Sequence, residues 1–324
     1  MRRFKNILVV CDDRSAYAHA LDRVRWLAKA NDADVTLIDV IDGAPGDLGR
    51  LFGALPGARG EELEDQILEA HRTRIEQIAA PLRAEGLRVR TTVRQGTAFI
   101  EIIRRVLREE HDLVLKGADL SPDRPLFRGP DLHLMRKCPC PVWVLNSRNG
   151  RRASRILACI DPEATTAARA TLNTRIMELA TSLAAQDDAR IDVLSVWNVQ
   201  EEGTLRHSMV KIPDSEIAMI LLREETETRA RLNDLVERFQ GFADRMRPLH
   251  VKGVAADVIT QHVADEGIDT VVMGTVARTG IAGFFIGNTA ETVLNRVSCS
   301  VLTVKPRGFV SPVTMAGDGT EEDA

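Results

Sequence analysis

The stretch Gly274-Thr275-Val276-Ala277-Arg278-Thr279-Gly280, continuing through Ile281-Ala282-Gly283-Phe284-Phe285-Ile286 to Gly287-Asn288-Thr289-Ala290-Glu291, has the residue types of a phosphate cradle. A phosphate needs several backbone N–H groups that side chains do not obstruct, and a helix N-terminus adds a favourable dipole. The stretch supplies both: it leaves an apolar run ending at Met273 and enters a helical pattern at Asn288. Asp161, directly after the apolar run Ile156 to Ile160, is a second candidate. Its carboxylate suits either a ligand hydroxyl or the cap of the helix that follows. Arg278 reads as a phosphate partner or as a solvated loop charge. Asn288 reads as a hydrogen-bond donor to a ligand or, with Glu291, as the start of a capping box. Ile160, Val196 and Met273 end the neighbouring apolar runs, and Thr275, Ala277 and Thr289 flank the glycines. With Asp161, Gly274, Arg278, Gly287 and Asn288 they complete the candidate ligand-binding set.

Other chemistries find little support. His19, His71 and His262 fall in helical patterns, as core-edge or surface residues. His111 and His133 are isolated, His207 falls in a variable loop and His250 on a strand. No pair has metal-ligand spacing, and no nucleophile elbow is present. Cys138-Pro139-Cys140 is C-x-C rather than C-x-x-C, and Cys11, Cys159 and Cys299 lie in or beside apolar runs; all five read as buried small hydrophobes. Catalysis has no positive sequence signal, and neither a metal nor a required cofactor is expected.

The elements that must position the candidate residues occur twice. Ile7-Leu8-Val9-Val10-Cys11-Asp12 is matched by Ile156-Leu157-Ala158-Cys159-Ile160-Asp161. Each run precedes an apolar helical stripe: Ala20, Leu21, Val24, Leu27 and Ala28, then Leu172, Ile176, Leu179, Ala180 and Leu183. A second strand follows in each half, Val35 to Val40 and Ile191 to Val196. An irregular stretch comes next, Gly43 to Gly60 and about Asn198 to Asp214, and then a long helix, about Glu61–Glu85 and Glu216–Met246. The spacing from Gly96 to Gly117 equals that from Gly253 to Gly274, each interval holding one helix and one buried strand. Pro141 to Leu145 and Ser300 to Val304 close the halves. The order βαβαβαβαβ, repeated, predicts an α/β fold: two tandem Rossmann-like doubly wound domains, each with a five-stranded parallel sheet. The boundaries are read as residues 1–146, 147–308 and an acidic tail at 309–324 expected to be disordered. Ligands of such sheets bind at the carboxyl ends of the strands, near the point where strand order reverses.

On these residues the chain resembles the universal stress protein family across Phe4 to about Pro306, in two copies. The family carries G-x2-G-x9-G-[S/T] after its fourth strand and an Asp after its first. In ATP-binding members the Asp contacts adenosine while the glycines and hydroxyl hold phosphates. Here the pattern reads Gly274-x2-Ala277-x9-Gly287-Asn288, with Asp161 in place. Gly274-Thr275-Val276 to Gly280, Gly287 to Glu291, Leu113 to Lys116 and Leu134 to Pro139 look most like the long tandem, E-type members. Ala277 replaces the second glycine, where a Cβ hinders close phosphate approach, and Asn288 replaces the hydroxyl residue. The first half departs further. It keeps Asp12, but Gly117-Ala118-Asp119-Leu120 has no second glycine, and Asp119, Asp123 and Asp131 add negative charge. The first half is therefore expected not to bind ATP.

The resemblance implies a non-catalytic stress-response protein, with an ATP-type nucleotide and magnesium in the C-terminal domain. The alternative is a scaffold or binding protein whose C-terminal cleft holds an apolar or mixed small molecule, since Ile281 to Ile286 is unusually apolar. Family members pair through the fifth strand, so the halves are expected to form an internal pseudo-dimer with Val142–Leu145 near Val301–Val304. A further homodimer and a protein partner are left open. A net charge of −4 with interspersed signs offers no broad basic footprint for nucleic acid or a membrane surface, and 4% aromatics provide few stacking platforms. An odd cysteine count and the absence of a signal-like apolar run near the start indicate a cytoplasmic protein.

Overall fold

Strand β1 (Asn6–Val10) pairs in parallel with β2 (Asp34–Ile41) on one side and β4 (Leu113–Gly117) on the other. The reversal of strand order between β1 and β4 opens the crevice in which a ligand of this fold would sit. The computed structural model describes residues 4–12, 17–43, 60–118, 127, 129–146, 153–163, 166–199, 202–207, 212–275 and 287–315. The first half continues with β3 (Val89–Gln95) and β5 (Val142–Leu145), and helices α1 (Tyr17–Asn31), α2 (Gly60–Ala84), α3 (Ala98–Glu109) and α4 (Gly129–Lys137) connect the strands. The second half repeats the order: β6 (Arg155–Ile160), α5 (Ala167–Asp187), β7 (Arg190–Trp197), β8 (Met246–Lys252), α8 (Ala255–Glu266), β9 (Thr270–Gly274), α9 (Asn288–Arg296) and β10 (Ser300–Val304). Between β7 and β8 lie a short helix α6 (Glu202–His207) and the long α7 (Asp214–Glu237). The expected helix to Met246 stops at Glu237; a 3-10 turn (Gln240–Arg245) bridges to β8, which Met246 begins. Helix α6 occupies part of the stretch expected to be irregular.

The strands form one ten-stranded sheet in the order β3-β2-β1-β4-β5-β10-β9-β6-β7-β8. Every pairing within a half is parallel. The halves meet antiparallel where β5 faces β10, with Val301 opposite Val144 and Leu302 opposite Trp143. This is the internal pseudo-dimer, and it covers two edges that would otherwise offer free backbone groups. A buried ion pair spans the same junction: Arg23 Nη1 lies 2.7 Å from Asp187 Oδ1, and the guanidinium lies 4.6 Å from the Trp143 ring centre. The remaining edges are β3 and β8, and Pro248 removes a donor from β8.

Alternation along the strands divides the core. Ile156, Ala158 and Ile160 face the layer of α1, α2, α5 and α7, and Leu157 faces that of α3, α4, α8 and α9. The expected stripes face the core, with Val24 and Leu27 in α1 matching Ile176 and Leu179 in α5, while Leu21 and Leu172 are half-buried at its edge. The repeat extends to the amino ends of the strands. Asp112 accepts hydrogen bonds from the backbone of Lys5 (2.6 Å) and Asn6 (3.2 Å), and Asp269 does the same for Ser154 (2.7 Å) and Arg155 (2.9 Å).

Candidate functional site

The parallel strands β6, β7 and β9 bring their carboxyl ends together, and with them Ile160, Asp161, Val196, Met273, Gly274 and Thr275. A cavity of about 120 Å³ lies there beneath α7, lined by Asp161, Asn173, Ser195, Arg231 and Leu235 among others. Ser195 Oγ is buried and has no hydrogen-bond partner among the described residues. A hydroxyl in that state costs free energy unless something supplies its partner. Ile160 and Asp161 share this cavity. Val196 and Met273 point to the opposite face and pack in its apolar core. The ligand set read from the sequence is therefore split across the sheet.

Asp161 is committed to its surroundings. Its Oδ1 accepts from the Glu163 backbone (3.1 Å), and its Oδ2 pairs with Arg169 Nε (2.6 Å). Its backbone is clasped on both sides by Asn173, whose Oδ1 accepts from Asp161 N–H at 2.9 Å and whose Nδ2 donates to Asp161 C=O at 2.8 Å. Helix α5 is capped instead by Thr166, whose side chain accepts from Arg169 N–H. Gly274 also has a local reason for being glycine. A Cβ there would stand 2.8 Å from Leu172 Cδ2 of α5.

The two shoulders of the glycine-rich connection are hydrogen-bonded to each other, Gly287 N–H donating to Thr275 C=O at 3.1 Å. Gly287 is the N-cap of α9, and Asn288 and Thr289 are its first helical residues. The capping box expected from Asn288 and Glu291 is not formed. With glycine at the cap no side chain is there to accept, and the Glu291 carboxylate lies 3.5 Å from Arg136 of α4. Ala277, Arg278 and the run Ile281 to Ile286 lie outside the described residues, as do Asp119, Asp123 and residues 316–324. The first part of the tail expected to be disordered, 309–315, is instead placed on the fold: Val313 packs against the core and the Thr314 carbonyl accepts from Arg104 Nε at 3.3 Å.

Beside Thr275 stands a residue that the sequence reading missed. Lys305, directly after β10, is 2% exposed. Its Nζ donates to the Met135 carbonyl of α4 at 2.8 Å and to Thr275 Oγ1, and Thr275 Oγ1 also donates to the Met135 carbonyl at 3.3 Å. Burial pushes the ammonium down to about 7, the nearby Cys138 thiol opposing and Arg136 adding to the shift. Among the described residues no carboxylate pairs with it.

The corresponding end of the first half is filled with charge. Lys116 of β4 lies 3.1 Å from Asp131 Oδ1 and 3.5 Å from Asp12 Oδ2. Burial opposes its charge, but Asp131 and Asp12 outweigh that and hold it above its ordinary value. Asp131, read from the sequence as one of the acids that add negative charge at this end, is buried here in an ion triad with Lys116 and Asp12. Asp39 Oδ2 on β2 accepts from His71 Nδ1 (2.6 Å) and Arg74 Nη2 (2.7 Å), both on α2. Burial pushes the Asp39 carboxyl up, while the His71 hydrogen bond opposes the shift. His71 is therefore a partner of a buried carboxylate and not a bystander. A visible signal was Asp39 itself, an acid in a strand buried on both faces.

Among the described residues no three His, Cys, Asp or Glu side chains converge as a metal site, and no helix is long and apolar enough to cross a membrane. Cys138 and Cys140 Sγ lie 3.5 Å apart as hydrogen-bonded free thiols, without a disulfide. Burial pushes the Cys299 thiol up to about 12 and raises Cys11, Cys140 and Cys159 as well, which removes the reactive thiolate.

Comparison with known proteins places this geometry in context. The model of the universal stress protein family matches residues 3–146 and again 153–305. Universal stress protein E of Escherichia coli K12 is 28% identical over 228 residues, 69% of this chain and 70% of the relative. Universal stress protein E of Photorhabdus laumondii is 23% identical over 321 residues, covering 98% and 99% of the two chains. A functionally unknown protein of Pseudomonas aeruginosa PAO1 shares the fold, with a TM-score of 0.69, 24% identity and 94% of each chain covered.

Proposed function

Because the chain belongs to the universal stress protein family, we propose that it is a non-catalytic, cytoplasmic stress-response module whose C-terminal domain alone binds a nucleotide of the ATP type. The observation that carries this reading is the cavity beside Asp161, in which the buried Ser195 hydroxyl lacks a partner among the described residues. A ribose or base supplies that partner. At the equivalent place in the first half stands Asp39, the sixth residue of its strand as Ser195 is of its own; its Oδ2 is bonded to His71 and Arg74, and its Oδ1, like the Ser195 hydroxyl, is buried without a partner among the described residues, so the halves differ here in charge and not in saturation. Magnesium would arrive with the phosphates, as is usual for that ion. Isothermal calorimetry with Mg-ATP tests the reading. Micromolar binding is expected, abolished by Asp161→Ala and by Ser195→Leu, which fills the cavity; circular dichroism confirms that both variants fold. Absence of heat with the folded protein at millimolar ATP overturns it.

Three observations favour the second reading, a scaffold or small-molecule binder. Asp161 and Gly274 both have structural duties, and about 120 Å³ is well below the roughly 300–1,000 Å³ usual for ligand pockets. A nucleotide therefore requires Arg169 or Arg231 to move. Mass spectrometry of molecules co-purifying with the protein separates the two.

A further inference from the structure

At its outer edge each half sets an edge strand against a helix, and there the two halves carry different charge. In the second half Arg247 of β8 is the register partner of Asp192 of β7. Its Nε and Nη2 fork onto the two carboxylate oxygens at 2.9 and 2.7 Å, and Nη2 also lies 3.0 Å from Glu266 of α8. His262 Nε2 completes the network, 2.8 Å from Asp192 Oδ2. In the first half Arg90 of β3 is the register partner of Thr36 of β2. Thr36 stands third in its strand as Asp192 does, and Arg90 stands second as Arg247 does. The arginine is kept while a hydroxyl replaces its carboxylate. That hydroxyl is buried and has no hydrogen-bond partner among the described residues. The neighbouring positions change in the same sense. Arg105 and Arg108 of α3 stand where α8 has His262 and Asp265, and Arg94 of β3 stands where β8 has Val251.

Alternation turns Thr36, Arg90 and Arg94 to the face that α3 covers. Glu109 of α3 is the carboxylate among them, 3.7 Å from Arg90 Nη2 and 2.6 Å from Arg105 Nη2. Burial pushes the Arg105 guanidinium down; Glu109 opposes this, and Arg94, Arg108 and Arg90 deepen it, so all three arginines act on Arg105. His111 Nε2 lies 3.6 Å from Glu109, but burial pushes that imidazole down to about 4 against the pull of Glu109, and it adds no charge at neutral pH. Glu101 is taken by Arg104, and Asp32 and Asp34 by Arg88. The preference of helix ends for cations accounts for Arg105 and Arg108. It does not account for two more arginines on the strand beside them. We propose that the surface between β3 and α3 binds a chain of phosphoryl groups, Arg90 and Arg105 holding one group where Asp192 stands in the second half and Arg94 and Arg108 reaching the next. Guanidinium forks match the oxygens of a phosphoryl group as they match a carboxylate. Arg90 and Arg94, four residues apart on one strand face, are separated by about 13 Å, more than a single phosphoryl group spans.

Isothermal calorimetry with magnesium-free tripolyphosphate at low ionic strength tests this. One-to-one micromolar binding is expected, weaker for orthophosphate and falling as salt is added. Arg90→Gln changes an exposed side chain, should fold, and should weaken binding about tenfold or more. Thr36→Asp gives the first half the carboxylate of the second and should abolish binding with the circular dichroism unchanged; if that variant does not fold, Arg90→Gln decides. Arg223→Gln removes an exposed arginine of α7 and should leave the affinity as it is. No binding by the parent protein, or equal losses in Arg90→Gln and Arg223→Gln, overturns the inference. Mg-ATP binding that needs Arg90 and not Asp161 supports it and removes the nucleotide reading. Tripolyphosphate binding that needs Asp161 and not Arg90 does the reverse.

Discussion

Each half buries a lysine at the carboxyl end of its sheet, and the two have opposite surroundings. Lys116 is the fourth residue of β4, and the fourth residue of β9 is Met273; Lys305 follows β10 directly, and the residue that follows β5 is Asn146. The duplicated fold thus kept a cation near each site but moved it by one strand. Where it stayed with Asp12 and Asp131 the half is electrostatically closed. Where it moved to the domain junction it is held by the Met135 carbonyl and Thr275 Oγ1, and no carboxylate pairs with it among the described residues.

The largest expected effect breaks the closed half. Lys116→Met leaves Asp12 and Asp131 facing each other without their cation, a loss of about 3–5 kcal/mol by analogy with other broken buried pairs. Urea denaturation at neutral pH measures it. Adding Asp131→Ala installs at both positions the residue types of the second half, Met273 and Ala290, and should recover most of the loss. If the single variant is as stable as the parent, the triad is not what closes this half. Lys305→Met is the mirror experiment, and its sign is opposite: removing an unpaired ammonium should be neutral or stabilising.

The two lysines also show where sequence reading reaches its limit. Ile7 to Val10 and Ile156 to Ile160 announce themselves locally, because a strand buried on both faces must be apolar throughout. The equal glycine spacing then fixes the order of elements, and strand order follows from the right-handed crossovers. Lys116 and Lys305 sit at the ends of such strands, where a lysine ordinarily reaches water. What buries them is non-local: Asp131 comes from another helix, and Met135 reaches Lys305 only because β5 and β10 pair across the pseudo-dimer. Arg23 and Asp187, from different halves, are likewise invisible as a pair to any local pattern. Asp161 and Gly274 were legible as positions. Their engagement by Arg169 and Leu172 was not, since both partners lie on α5 and depend on how it seats against the sheet.

A smaller effect sharpens the contrast through pH. Lys305 is pushed from its ordinary 10.5 to about 7 in the folded protein. Between those values the unfolded chain binds the proton and the folded protein does not, so stability contributed by this group rises with pH across the window. Below the folded value both states are charged and the full penalty remains. The slope is at most about 1.4 kcal/mol per pH unit. Lys116, raised instead, contributes stability that is present below its ordinary value and lost as pH climbs through the folded one. Unfolding curves from neutral to alkaline pH should therefore diverge between the parent and Lys305→Met, the parent gaining on the variant as pH rises. Parallel curves would mean that Lys305 is not an unpaired buried charge.

The smallest effect asks what Gly274 is for. If its role is to let α5 approach β9, Gly274→Ala costs about 1 kcal/mol, because Leu172 Cδ2 is a terminal methyl that can move part of the way. Leu172→Ala should then absorb the new Cβ, so that the double variant is more stable than the sum of the single losses predicts. Alanine keeps the backbone N–H, so binding of Mg-ATP should be unchanged in Gly274→Ala. A variant that folds normally but loses the nucleotide would assign Gly274 to the ligand instead, since its packing duty would then be the lesser of the two. That outcome would also separate the halves further: Gly117 ends β4 just as Gly274 ends β9, yet it lies beside a lysine already neutralised by its own domain.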